Sequence, residues 1–195
     1  MNQIDEGVIL TCDIRNFTSY TYKVGCKKSI KRIENFIVQL IENAQKYHAE
    51  IINLTGDGFI LVFKGDNKQD NALQTALSFR DIIKQINKKL HQNKESIIHI
   101  GIGIFEGKYT RKKLKIGEKT HKISIGHSIN LSSKIESQTK KLMVDILTTK
   151  EFIDSLKNKE EYSFLKMPPM NIEGINKTYS LYWLAPQNQK RRNYE

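Results

Sequence analysis

Long apolar runs are missing from this chain. Nothing in its 195 residues approaches the roughly 20 consecutive apolar positions that span a bilayer, so no membrane span is expected. Cysteine is scarce too: Cys12 and Cys26 cannot build a disulfide framework, and reduced thiols are expected. Three prolines and 11 glycines exclude a collagen-like or low-complexity chain. The start, Met1-Asn-Gln-Ile-Asp-Glu6, lacks the basic region and apolar core of a signal peptide, which makes the cytosol the expected location. Acidic residues are in deficit, with 21 Asp and Glu against 32 Lys and Arg, for a net charge of +11. What is present suits one globular unit. Hydrophobic residues make up 38%, enough to bury a core without staples. A single domain over 1–186 is expected, with a basic tail at 187–195.

A basic chain suggests a polyanionic partner. The lysines, however, are spread through every segment. The denser stretches, Tyr109 to Lys115 and Lys190-Arg-Arg192, lack the interleaved aromatics of a nucleic-acid platform. Solvated surface charge is the favoured reading over nucleic-acid binding.

Hydrophobic periodicity organises the chain. Gly7 to Ile14 reads as a strand, with Val8, Leu10, Cys12 and Ile14 on one side and Ile9, Thr11 and Asp13 on the other. A helix is predicted from about Ser29 to Tyr47, its stripe formed by Ile30, Ile33, Ile37, Leu40, Ile41 and Ala44. Asp57-Gly58 between two apolar runs predicts a hairpin of 50–55 and 59–63. A helix at about 70–90, buried through Leu73, Ala76, Leu77, Ile83, Ile86 and Leu90, precedes a strand at 97–105. That strand sets Gly101 and Gly103 on one face, where a backbone or a ligand can approach closely. A lysine-rich segment at 106–122 carries weak strand signals of its own and reads as a protruding arm or hairpin. A helix at 127–139, a strand at 143–147, a short helix at 149–156 and a closing strand at 178–184 complete the plan. The order is α+β and contains the split β-α-β arrangement of ferredoxin-like folds: a mainly antiparallel sheet with helices packed on it.

Chemistry concentrates at two acids. Asp13 ends the first strand and Asp57 sits in the hairpin; the split plan makes these elements neighbours, so the two carboxylates can converge. With phosphate oxygens, one or two carboxylates are the usual holders of Mg2+. Asp57 alone could be a turn residue and Asp13 a strand-end cap. After Asp13, the strand turns into a helix start whose N–H groups suit phosphate, although Thr18 and Ser19 could be ordinary N-caps.

Three segments, in order, resemble the class III nucleotidyl cyclases, the adenylate and guanylate cyclase catalytic domain. They are Val8-Ile-Leu-Thr-Cys-Asp-Ile-Arg-Asn-Phe-Thr-Ser19, Asn53-Leu-Thr-Gly-Asp-Gly-Phe-Ile-Leu-Val-Phe63 and Ile125-Gly-His-Ser-Ile-Asn-Leu-Ser-Ser-Lys-Ile-Glu-Ser137. His99 to Gly107 resembles the family's strand before its arm, and Asp145-Ile-Leu-Thr a later strand. The resemblance covers Gly7 to about Leu184. It implies the class III cyclase fold with a protruding β arm. It also implies a head-to-tail homodimer whose active sites take residues from both chains, and two Mg2+ or Mn2+ ions per site. Asp13 and Asp57 match the family's metal carboxylates, and Ile14 matches a residue offering its backbone carbonyl to a metal. Phe17, Thr18 and Ser19 match the phosphate-contacting turn. Asn130 matches the asparagine that orients the ribose. Lys134 stands where the family carries an arginine that stabilises charge on the transferring phosphate; it keeps the charge and loses the bidentate fork.

The base-reading positions depart from the purine pattern. Asn53 stands where related adenylate cyclases carry Lys and guanylate cyclases Glu. Ile123, or Ser124 with a one-residue slip, stands at the second reader. An uncharged amide that donates and accepts suits the edge of uracil, or of cytosine with the amide turned. Ile would fill space left by a smaller base. In these respects the chain resembles the pyrimidine cyclases of Pycsar anti-phage systems. The implied reaction converts UTP (or CTP) to a cyclic monophosphate and pyrophosphate, and the product activates a separate effector. An ordinary stand-alone adenylate cyclase and a degenerate, nucleotide-binding cyclase domain are the alternatives.

Overall fold

The computed structural model describes residues 4–169, 172 and 179–186. The expected tail at 187–195 lies outside them, as does Thr178 of the closing strand. The elements in chain order are β1 (Ile4–Ile14), α1 (Phe17–Val24), α2 (Cys26–Gln45), β2 (Glu50–Leu54), β3 (Gly58–Phe63), α3 (Lys68–Gln92), β4 (Ile100–Ile116), β5 (Lys119–Ile125), α4 (His127–Lys141), β6 (Ile146–Thr149), α5 (Lys150–Asp154), β7 (Ser163–Lys166) and β8 (Leu181–Ala185). The strands form one eight-stranded sheet in the order β2-β3-β1-β4-β6-β8-β7, with β5 paired to the outer half of β4. The β4–β6 pair is parallel and the other pairs are antiparallel.

The period of two in β1 sets the layers. Val8, Leu10, Cys12 and Ile14 enter the main core with Phe59, Leu61 and Phe63 of β3. Phe36, Leu40 and Ala44 of α2 and Leu73, Ala76 and Phe79 of α3 cover that face, so both helices lie on one side of the sheet. Removing each such Leu or Phe from water contributes about 1.5–3 kcal/mol. The buried stripe of α2 is shifted from the sequence expectation: Ile30 is 68% exposed and Phe36 takes the inward position.

The opposite face carries α4. Ile9 packs with Val62, Tyr109 and Ile129, and Thr11 Oγ1 lies 2.8 Å from Ser132 Oγ. The glycine face of β4 meets the chain's own helix. A Cβ on Gly103 would lie 2.2 Å from the Ser132 carbonyl oxygen, and one on Gly101 would collide with the Glu136 carboxylate.

Two expectations are corrected and a third takes a definite form. The first helical segment begins at Phe17, since Gly25 (φ 81°) splits α1 from α2 rather than leaving a long turn before Ser29. The arm expected at 106–122 is a β hairpin: β4 runs unbroken from Ile100 to Ile116, and β5 folds back on it through Gly117 (φ 59°). Strand β7 was not expected, because the alternation at Ser163–Lys166 is only four residues long.

Candidate active site

Strand pairing brings the two acids together. Asp13 is registered opposite Gly58, and the Ile14 N–H donates to the Asp57 carbonyl at 3.0 Å. A Cβ on Gly58 would lie 2.8 Å from Asp13 Oδ1, so that residue's bareness gives the carboxylate its room. Asp13 is pushed up to about 6, first by burial and then by the charge of Asp57; the Ile14 backbone and Lys140 pull the other way. Two like charges held this close favour an added cation.

On one side of this pair the chain turns through Arg15 and Asn16 into α1. Asn16 is left-handed (φ 58°) and supplies no side-chain cap, and the first turn of α1 carries no acid. The leading N–H groups of α1, from Phe17 through Ser19, therefore have no carboxylate competing for them, which favours an anion. Thr18 and Ser19 are exposed and Phe17 is half-buried. Neither hydroxyl residue is the N-cap.

On the other side stands α4. Its sheet-facing row, Ile129, Ser132, Glu136 and Thr139, follows helical spacing and includes a carboxylate that the sequence reading missed. Burial, then the charge of Asp13, pushes Glu136 up to about 7, partly offset by Arg15. Arg15 in turn donates to the Val144 carbonyl. An acid in the middle of an inward-facing row was the signal available for Glu136. Asn130 is exposed and Lys134 half-buried, on a different row of α4. Among the α4 side chains, the charges of Glu136 and Lys140 couple to Asp13.

The base-reading candidates gather separately. Asn53 is exposed on β2, beside a register irregularity at Ile51/Asn53. Ile123 is half-buried on β5 opposite Lys112, and Ser124 opposite Arg111. Arg111 Nη1 donates to Glu50 Oε2 at 2.6 Å and so ties the arm to β2. One chain thus brings Asp13, Asp57 and the α1 turn together, while Asn53 stands on β2, Ile123 on β5, and Asn130 and Lys134 on the outward row of α4.

Among the described residues no three His, Cys, Asp or Glu side chains form a ready-made metal cage. The fit to a hard cation is that of a carboxylate pair, which leaves the remaining positions to phosphate and water. No helix among the described residues is long and apolar enough to cross a membrane.

The family model of the adenylate and guanylate cyclase catalytic domain matches residues 1–186. An adenylate cyclase of Anabaena cylindrica is 24% identical over 179 residues, which are 89% of this chain and 36% of that protein. The chain therefore spans about a third of the length of that curated relative. Among solved structures, the adenylyl cyclase CyaB from P. aeruginosa superposes with a TM-score of 0.83 at 18% identity, covering 100% of both chains. The guanylate cyclase domain of RhGC from Catenaria anguillulae, in complex with GTP, gives 0.79 at 19% identity, covering 94% of this chain and 98% of that one.

Proposed function

Because the chain belongs to the family of adenylate and guanylate cyclase catalytic domains, we propose that it closes a nucleoside triphosphate into its 3′,5′-cyclic monophosphate and releases pyrophosphate. The observation that carries this reading is the Asp13–Asp57 pair at adjacent strand ends, beside an α1 turn free of acids. Asp13 and Asp57, with the Ile14 carbonyl, would hold Mg2+ or Mn2+. Such ions supply positive charge to the triphosphate and acidify the attacking hydroxyl. The leading N–H groups of α1 at Phe17, Thr18 and Ser19 receive the phosphates. The ribose 3′-oxygen forms a bond to the α-phosphorus, the bond between the α- and β-phosphates breaks, and the 3′-hydroxyl proton passes to solvent. Asn130 orients the ribose. Lys134 offsets charge that grows on the phosphoryl oxygens.

The outward row of α4 turns away from its own chain's Asp13. This supports a head-to-tail homodimer in which Asn130, Lys134, Asn53 and Ile123 of one protomer complete the site built on Asp13 of the other. The substrate reading is UTP, or CTP, because an amide at Asn53 and an apolar Ile123 carry neither purine-reading charge. The product would then act as a second messenger on a separate effector in anti-phage defence. ATP is the competing substrate, favoured by the likeness to an enzyme named adenylate cyclase.

Pyrophosphate release by Asp13→Asn and Asp57→Asn tests the site. Turnover should fall by about a thousandfold or more, with the melting temperature and oligomeric state unchanged. Retained turnover would overturn the metal assignment.

A further inference from the structure

A cavity of about 200 Å3 lies behind the β1–α1 turn, on the α2 side of the sheet. Asp13 points to the opposite, α4 side, since Thr11 on the same side of β1 bonds Ser132 there. Ile33, Phe36 and Ile98 form the cavity's apolar wall, and Lys23 and Arg32 bring positive charge to it; Arg15 also lines it, with its guanidinium donating to the Val144 carbonyl. No carboxylate lines it. Among the described residues, neither Lys23 nor Arg32 takes part in an ion pair. Arg32 is held in place: its guanidinium stacks 4.5 Å over the Tyr20 ring and donates to the Ser96 carbonyl. A fixed guanidinium fork beside an apolar wall matches a planar anionic head on an apolar body. The bland reading is that Lys23 merely complements the C-terminal end of α1. That reading leaves Arg32 and the absence of acids unexplained.

We propose that this cavity is a second binding site, which takes a small organic anion: a carboxylate or phosphate monoester on a single ring or short aliphatic chain. Arg32 and Lys23 hold the anionic head, and Phe36 and Ile33 face the body. Phe17 and Ser19 of the α1 turn line the same cavity, so occupancy is coupled to whatever the turn binds. That coupling rests on the nucleotide reading above; the binding site itself does not.

Calorimetry on the full chain tests it, with phenyl phosphate, benzoate, inorganic phosphate and benzyl alcohol as probes. Expected is saturable binding, one per chain, of phenyl phosphate or benzoate, with neither inorganic phosphate nor benzyl alcohol saturating. Arg32→Gln and Lys23→Gln should each weaken it about ten- to a hundredfold in protein that circular dichroism shows to be folded. Asp57→Asn should bind as the wild type does, even where it has lost all turnover. No saturable binding would overturn the proposal. So would equal binding by inorganic phosphate (an adventitious ion only), full affinity in both cation variants, or simple displacement by a non-hydrolysable nucleoside triphosphate.

Discussion

Substituting Gly103 by alanine tests how α4 is seated. The added Cβ would lie 2.2 Å from the Ser132 carbonyl oxygen, 2.4 Å from the Glu136 nitrogen and 2.9 Å from the Glu136 Cα. All three are helix backbone atoms, so no side chain can swing aside. Real Cβ contacts stay beyond 3.0 Å, which means α4 must retreat by roughly 0.8 Å. Overpacking of this kind costs about 1–3 kcal/mol. The retreat also loosens Leu131 and Ile135 from Val144 and Leu147, which places the expected loss near the upper end, about 3 kcal/mol. For a domain of this size that lowers the melting temperature by roughly 6–12 °C. Gly56→Ala is the control, because a Cβ there meets nothing within 4 Å; it should stay within about 0.5 kcal/mol of wild type. Denaturant titration followed by circular dichroism reads both. If Gly103→Ala proved as stable as the control, α4 would not lie on the sheet as described.

Other perturbations follow from the charges. The native state holds a proton on Glu136 up to about pH 7, whereas the unfolded chain releases it near the ordinary value. Metal-free stability should therefore fall as pH rises from about 4.5 to 7, by about 1–2 kcal/mol once partial exposure is allowed for. Glu136→Gln should flatten that slope and be the more stable protein at pH 8; a steeper slope would contradict the assignment. Asp145 accepts from Arg80 Nε at 2.6 Å and from Trp183 Nε1 at 2.9 Å, and its pKa is lowered, burial being outweighed by the Arg80 hydrogen bond and charge. Asp145→Ala should cost about 3 kcal/mol at pH 7 by stranding a half-buried guanidinium, and the wild-type advantage should fade as pH drops below the ordinary carboxylate range. Lys134→Ala should lower kcat by about a hundredfold and Lys134→Arg should retain activity; an unchanged kcat in the alanine variant would remove Lys134 from the reaction.

Much of the fold was legible because its signals are local. The alternation in β1 set the two faces, and Asp57-Gly58 set the hairpin that places Asp57 beside Ile14. The glycines of β4 marked a close approach, but only the tertiary structure shows that the approaching group is α4. The break at Gly25 was missed since the apolar periodicity around it is weak and Tyr22 and Ile30 are exposed. Glu136 was missed for a related reason. Its importance lies in the Asp13 carboxylate it meets on the α4 side of the sheet, and α4 was read for its outward row. That the Ser132–Glu136 row of α4 faces the sheet, and the Asn130–Lys134 row does not, cannot be read from spacing alone, because it depends on which way a helix is rolled on its sheet.

The proposed reaction is the intramolecular cyclisation of a nucleoside triphosphate. Its most direct test is to incubate the purified protein separately with ATP, GTP, CTP and UTP plus Mn2+, and to resolve the products by mass spectrometry. The account predicts a cyclic pyrimidine monophosphate with equimolar pyrophosphate from UTP or CTP, abolished by Asp57→Asn. A cyclic purine product would keep the mechanism and overturn the reading of Asn53 and Ile123. Absence of any cyclic product and of pyrophosphate from all four nucleotides would contradict cyclase activity itself.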